Sequence, residues 1–169
     1  MARPAQGDYL PYFERYISLT RGNDLREVME NHGRELAGFY SSLPEAKADF
    51  SYAAGKWTLR EVLQHVIDTE RIFVYRALRF ARRDVTPLAS FDENAFAQNA
   101  MAGKRSLESL KQEFAATRYS SDLMLQSFGE EQLRQAGIAG NHVMTANAAA
   151  FIIYGHLLHH QNILGLNYL

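Results

Sequence analysis

Apolar side chains recur at intervals of three and four along four long stretches of this chain, the period of a helix that buries one face. Leu25, Val28, Met29, Leu36, Phe39 and Tyr40 predict the first helix, from a cap at Asp24 to Ser41, with Pro44 behind it. Leu59, Leu63, Val66, Phe73, Ala77 and Phe80 predict the second, from Thr58 to about Arg83. Its start carries Thr58-Leu59-Arg60-Glu61, a capping-box pattern in which the hydroxyl accepts from an orphan amide and the glutamate reaches back. The third runs from about Ser106 to Ser127 on Leu107, Leu110, Phe114, Leu123 and Leu125, and the fourth from Thr145 nearly to the last residue. A short aromatic helix is expected within residues 8–20. Connections at 43–57, 84–105 and 128–144 are long enough to run along a bundle and so leave the topology open. Residues 136–144 read as a short strand or a plain loop. With no alternating strand pattern elsewhere, the fold class is all-α, a four-helix bundle in one domain spanning 1–169.

Composition narrows the chemistry. At 169 residues and 47% hydrophobic content, the chain can build a single core without staples. The absence of cysteine removes disulfides, thiolate nucleophiles, iron-sulfur clusters and cysteine zinc sites, so any metal must be held by nitrogen or oxygen. Eighteen Lys plus Arg against 19 Asp plus Glu leave a net charge of -1, which gives no field for a polyanion, and nucleic acid is not an expected partner. The longest apolar run, Ala148 to Tyr154, falls far short of the roughly 20 residues that cross a bilayer. Residues 1–8 lack the apolar region of a signal peptide, and with the missing cysteines this gives the cytoplasm as the expected location.

Six histidines remain to be placed. On a helical wheel at about 100° per residue, His156 and His160 both fall in the apolar stripe of the fourth helix with Ala149, Ile152, Ile153 and Ile163. Neutral imidazoles there must find hydrogen-bond partners or bind something. Their i, i+4 spacing sets both rings on one side, as a divalent metal requires of one helix, although buried histidines bonded to carbonyls give the same spacing. His65 lies at the edge of the second helix's apolar stripe and can face them, which would leave positions open for water or substrate. Such a site brings the three rings within about 6 Å of one another, given nitrogen ligands about 2.1 Å from zinc. His159 stands beside the stripe, as a flank residue, a group orienting a ligand, or a fourth ligand. His32 and His142 have no spacing partner and read as packing or surface residues.

Several chemistries are absent as motifs. No Glu-x-x-His pair is present, which excludes the ferritin-like di-iron bundle, and there is no His-Glu-x-x-His, Gly-x-Gly-x-x-Gly, Gly-x-x-x-x-Gly-Lys or Gly-x-Ser-x-Gly.

Gly55-Lys56-Trp57-Thr58-Leu59-Arg60-Glu61-Val62-Leu63-Gln64-His65-Val66-Ile67-Asp68-Thr69-Glu70-Arg71, then Tyr75-Arg76-Ala77-Leu78-Arg79-Phe80-Ala81-Arg82, and Gly155-His156-Leu157-Leu158-His159-His160 resemble the DinB-like superfamily, in its YfiT-like branch of metal-dependent enzymes. The resemblance implies an up-down-down-up four-helix bundle and one divalent ion, often nickel or zinc, on one histidine of the second helix and two of the last. The matching positions are His65, His156 and His160. It also implies either transfer of a low-molecular-weight thiol such as bacillithiol or mycothiol, or hydrolysis, acting on a small-molecule substrate. Leu157 stands where YfiT-like relatives commonly carry Glu.

Around these positions, Glu61 and Asp68 lie four before and three after His65, where either carboxylate would accept an imidazole proton or else form surface ion pairs. Trp57 lines a pocket or anchors the core. Arg76 lies near the His65 side and is the arginine best placed to meet an anionic substrate, while Arg71, Arg79, Arg82 and Arg83 read as a solvated face. The aromatic start (Tyr9, Tyr12, Phe13, Tyr16) either caps its own bundle or serves a homodimer. Three neutral ligands would leave the ion's charge intact and favour a thiol S-transferase or hydrolase over the alternative, a non-catalytic metal-dependent ligand-binding or stress-related module.

Overall fold

In the computed structural model, which describes residues 1–169, a 3-10 turn at Pro11–Phe13 runs straight into the short helix α1 (Glu14–Ile17). The four long helices are α2 (Leu25–Ser41), α3 (Leu59–Ala81), α5 (Leu107–Gln126) and α7 (Ala146–Asn167). Their starts follow from side chains that satisfy orphan amides. Asp24 accepts from the Glu27 amide, Thr58 from Glu61, Ser106 from Ser109, and Thr145 from Ala148. Each such cap contributes about 1 kcal/mol. At Thr58 the box is complete, because the Glu61 carboxylate accepts from the Thr58 amide at 2.7 Å. The second long helix ends at Ala81, two residues short of the expected Arg83, because Arg83 turns into the left-handed region with φ 60°.

The connections hold more structure than their sequences announced. Residues 84–105 contain α4 (Glu93–Asn99), capped by Asp92, and 128–144 contain α6 (Glu130–Leu133). Residues 136–144, whose sequence fits a short strand or a plain loop, form an antiparallel hairpin of β1 (Ala136–Ala139) and β2 (His142–Thr145). Gly140 and Asn141 take φ 58° and 67°, the two consecutive positive values that a tight primed turn demands. Leu88 ties the preceding connection to this hairpin: its amide donates to the Ile138 carbonyl at 2.8 Å, and its carbonyl accepts from Gly140 at 2.9 Å.

Both α5 and α7 pack against both α2 and α3, so the first two long helices lie across the bundle from one another and not side by side. Lys47 just after α2 and Trp57 just before α3 both meet Tyr168 at the end of α7, and Arg105 before α5 meets Gln64 in the first turns of α3, so the helices run up, down, down, up, which explains why the connections are long. The fourth helix is more deeply placed than a one-sided stripe implies: Ala146 to Leu158 are all buried, and α1, α2 and α3 surround it. Tyr9 and Tyr16 are buried within the chain, so the aromatic start packs in part on its own bundle, while Tyr12 stays 48% exposed. Arg3 pins that segment by donating to the carbonyls of Ile17, Thr20 and Gly22.

One buried charge network crosses the bundle. Arg118 on α5, 6% exposed, meets Glu70 of α3 at 2.9 Å and Asp122 one turn on, and donates to the Tyr154 hydroxyl of α7 at 2.8 Å. Two carboxylates thus neutralise this guanidinium, as a charge out of water requires. No helix is long and apolar enough to cross a membrane.

Candidate metal centre

The capping box fixes where α3 begins, and the buried Val62, Leu63, Val66 and Ile67 fix its rotation, which turns His65 toward α7. From α7, His156 and His160 point the same way one turn apart. The three imidazoles meet with ring centroids 5.0, 5.0 and 4.5 Å apart. Nε2 of His156 lies 3.1 Å from Nε2 of His65 and 3.1 Å from Nε2 of His160. All three residues are buried.

Hydrogen bonding among themselves cannot satisfy this cluster. A neutral Nε2 either donates one proton or offers one lone pair, so a single proton on His156 serves one neighbour and leaves the other lone pair facing nothing. A shared cation accepts all three lone pairs at once. Three nitrogens at about 2.05 Å from one ion in tetrahedral geometry stand about 3.3 Å apart; the two separations at His156 are close to this, and all three ligand nitrogens lie within 4.8 Å of one another. Burial holds the imidazoles neutral, as ligands must be: it pushes His65 down to about 4, and lowers His156 and His160 well below the ordinary histidine value, with the neighbouring histidines adding to the effect.

The surroundings differ in part from what spacing indicated. Neither Glu61 nor Asp68 partners His65. The Glu61 carboxylate is used in the capping box, and Asp68 accepts from Gln64 at 2.9 Å. Beside His65 Nδ1 stands instead the hydroxyl of Thr69, 3.5 Å away and one turn along the same helix, a spacing visible in the sequence. His159 lies outside the Nε2 cluster; its ring packs edge-on against Tyr16 at 5.2 Å and His160 at 5.1 Å, half-exposed. Trp57 lies against His65 with ring centroids 4.8 Å apart. Leu157 is buried in the apolar core, and its carbonyl accepts from Tyr40 of α2 at 2.8 Å. His142 is exposed in β2, while His32 is buried and accepts from the Arg21 amide through Nε2 at 2.8 Å.

Tyr16 stands out in the sequence only as part of the aromatic start, with nothing to link it to the histidines. It packs edge-on against His156 at 5.4 Å because the α1 backbone comes down onto α7 at Gly155, where a Cβ would stand 2.2 Å from the Tyr16 carbonyl oxygen. Only glycine permits that approach. The result is a cavity of about 350 Å³ that opens on His156 and is lined by Tyr12, Phe13, Tyr16, Thr69, Phe73 and Arg76, with Asp92 and Glu93 of the α4 start on its wall. A larger cavity of about 650 Å³, lined by Asp24, Leu125 and Glu130 among others, contains no histidine.

Residues 29–164 match the model of the DinB superfamily. The chain belongs to the DinB superfamily. Among solved structures it is similar to YfiT from Bacillus subtilis, described as a "probable metal-dependent hydrolase with an unusual four-helix bundle topology", with TM-score 0.72 and 15% identity over 97% of this chain and 90% of that one. It is similar too to the mycothiol-dependent maleylpyruvate isomerase, with TM-score 0.63 and 13% identity over 94% of this chain, which spans 61% of the isomerase. At these identities the likeness is one of fold. No curated protein matches the chain.

Proposed function

We propose that this DinB-superfamily protein is a mononuclear metal-dependent enzyme in which Nε2 of His65, His156 and His160 holds one divalent ion, zinc or nickel. The observation that carries the reading is the convergence of three buried Nε2 atoms that cannot satisfy one another, beside a cavity that opens on His156. When bound, such an ion supplies Lewis acidity and lowers the pKa of a coordinated water or thiol. The chain contributes the rest. His65 is braced by Trp57 on one side and by Thr69 at Nδ1, which keeps its Nε2 lone pair directed at the centre. Tyr16 and Phe13 wall the cavity and exclude bulk water from the space beside His156.

Because the chain has no cysteine, an attacking sulfur comes from a small thiol cosubstrate, as the thiol dependence of the isomerase of similar fold supports; an attacking oxygen comes from water, as the hydrolase description of YfiT supports. The reaction is attack of that sulfur or oxygen on a small electrophile seated in the cavity, in which the new C–S or C–O bond forms as the bond to an alkoxide or halide leaving group breaks and the nucleophile's proton passes to the leaving group or to solvent. The zinc- or nickel-loaded protein, incubated with a panel of thiols and chromogenic esters or halides, is expected to turn over above background with a rate that disappears in His160→Ala. Full metal occupancy with no turnover by any thiol or ester would instead identify a non-catalytic metal-dependent binding module.

A further inference from the structure

Two arginines are buried in this chain to the same extent, Arg76 and Arg118, each 6% exposed. Their surroundings are opposite. Arg118 is met by Glu70 and Asp122, whereas no carboxylate lies within 4.0 Å of Arg76. The guanidinium of Arg76 donates to the Ala89 carbonyl at 3.1 Å and lies over the Phe73 ring, 4.9 Å from its centroid. These contacts orient the group and leave its charge uncompensated. Its neighbours on the helix are all engaged: Arg71 pairs with Glu113, and Arg79 with Asp84. A buried cation without a counter-ion is costly, and a protein keeps one where an anion arrives to complete it.

Arg76 lines the same cavity as His156. It stands on the same face of α3 as Thr69, two turns further on, which is about 10 Å along the helix axis. Resting on the metal reading above, we propose that Arg76 is the anion-recognition residue of this site and selects a substrate that carries a carboxylate apart from its reacting atom. A carboxylate fits better than a phosphate. The planar fork of a single guanidinium matches one carboxylate in two hydrogen bonds, whereas the nearly two negative charges of a phosphate exceed what one arginine balances. Desolvation lowers the pKa of Arg76 from the ordinary guanidinium value, yet arginine stays charged in proteins, so the subsite is cationic at neutral pH.

The test compares an ω-mercaptocarboxylate with the ω-mercaptoalcohol of equal chain length, titrated calorimetrically into the zinc-loaded protein. The acid is expected to bind at least about tenfold tighter than the alcohol, a difference of one charge-assisted contact. That ratio should fall to about one in Arg76→Met, which keeps the apolar stem on Phe73; Arg76→Lys should retain part of it. Equal binding of acid and alcohol by the unaltered protein, a comparison that needs no variant to fold, would overturn the subsite while leaving the metal reading intact. The two readings separate further with the plain alkanoate of the same length. If it binds in an Arg76-dependent way while neither thiol shows any contribution from sulfur, the subsite stands and the thiol reading fails.

Discussion

His32 and His156 are both buried imidazoles, and what faces each one separates their roles. Nε2 of His32 meets a backbone donor, the Arg21 amide, as a packing residue does, while its buried Nδ1 has no hydrogen-bond partner. Nε2 of His156 meets two more Nε2 atoms. The sequence distinguished them through spacing: His156 and His160 share a helix face, whereas His32 has no such partner. Glu61 and Asp68 were equally well spaced from His65, but spacing says nothing of competing partners, and the Thr58 cap and Gln64 reach those carboxylates first. The acceptor role of His32 has a consequence for pH. Burial, then the nearby Arg21 charge, lowers the pKa of His32 below its unfolded value of 6.5, and its acceptor role requires the neutral ring. The unfolded chain therefore binds this proton more readily than the folded one. The stability His32 contributes is present above about pH 6.5 and is lost as pH falls through the folded value. Denaturant midpoints measured from pH 7.5 down to 5 should fall less steeply in His32→Gln, which accepts the same amide hydrogen bond without titrating; identical slopes would show that His32 is not held neutral.

At the level of elements, long periodic stretches and their caps were legible, because side-chain oxygens at Asp24, Thr58, Ser106 and Thr145 act on amides only three residues away. The elements that shape the cavity were less so. The seven-residue helix α4 is too short for periodicity to register, and α1 owes its place to a contact across 139 positions of sequence, between Tyr16 and Gly155. The hairpin did carry a signal, the Gly140-Asn141 pair, two residue types that tolerate the positive φ both turn positions adopt. The approach of α1 to α7 gives a sharp contrast within one helix. Gly155→Ala sets a methyl group against the Tyr16 carbonyl and should cost about 1–3 kcal/mol in stability while moving Tyr16 off His156. Gly165→Ala, with open space around its added Cβ, should be neutral or stabilise α7 by up to about 1 kcal/mol. Thermal melts of the two variants measure the difference, and equal midpoints would mean that α1 shifts without cost.

For the whole molecule, the order of the bundle and the site are one fact. Placing α2 and α3 across the bundle leaves α7 in contact with both, so a histidine of α3 can face two histidines of α7 at the centre of the fold. Apolar periodicity and the resemblance of residues around His65 and His156 to the DinB-like pattern made the bundle and its three histidines readable before any coordinates. The walls of the cavity were not, since Tyr16, Phe13 and the α4 start come together only through tertiary contacts. The central claim is that the three Nε2 atoms share one ion, and elemental analysis of protein purified without a histidine tag tests it most directly. One zinc or nickel per chain is predicted, lost in His65→Ala, His156→Ala and His160→Ala and kept in His142→Ala, with circular dichroism confirming that each variant is folded. Metal retained undiminished in a folded His156→Ala protein would contradict the claim.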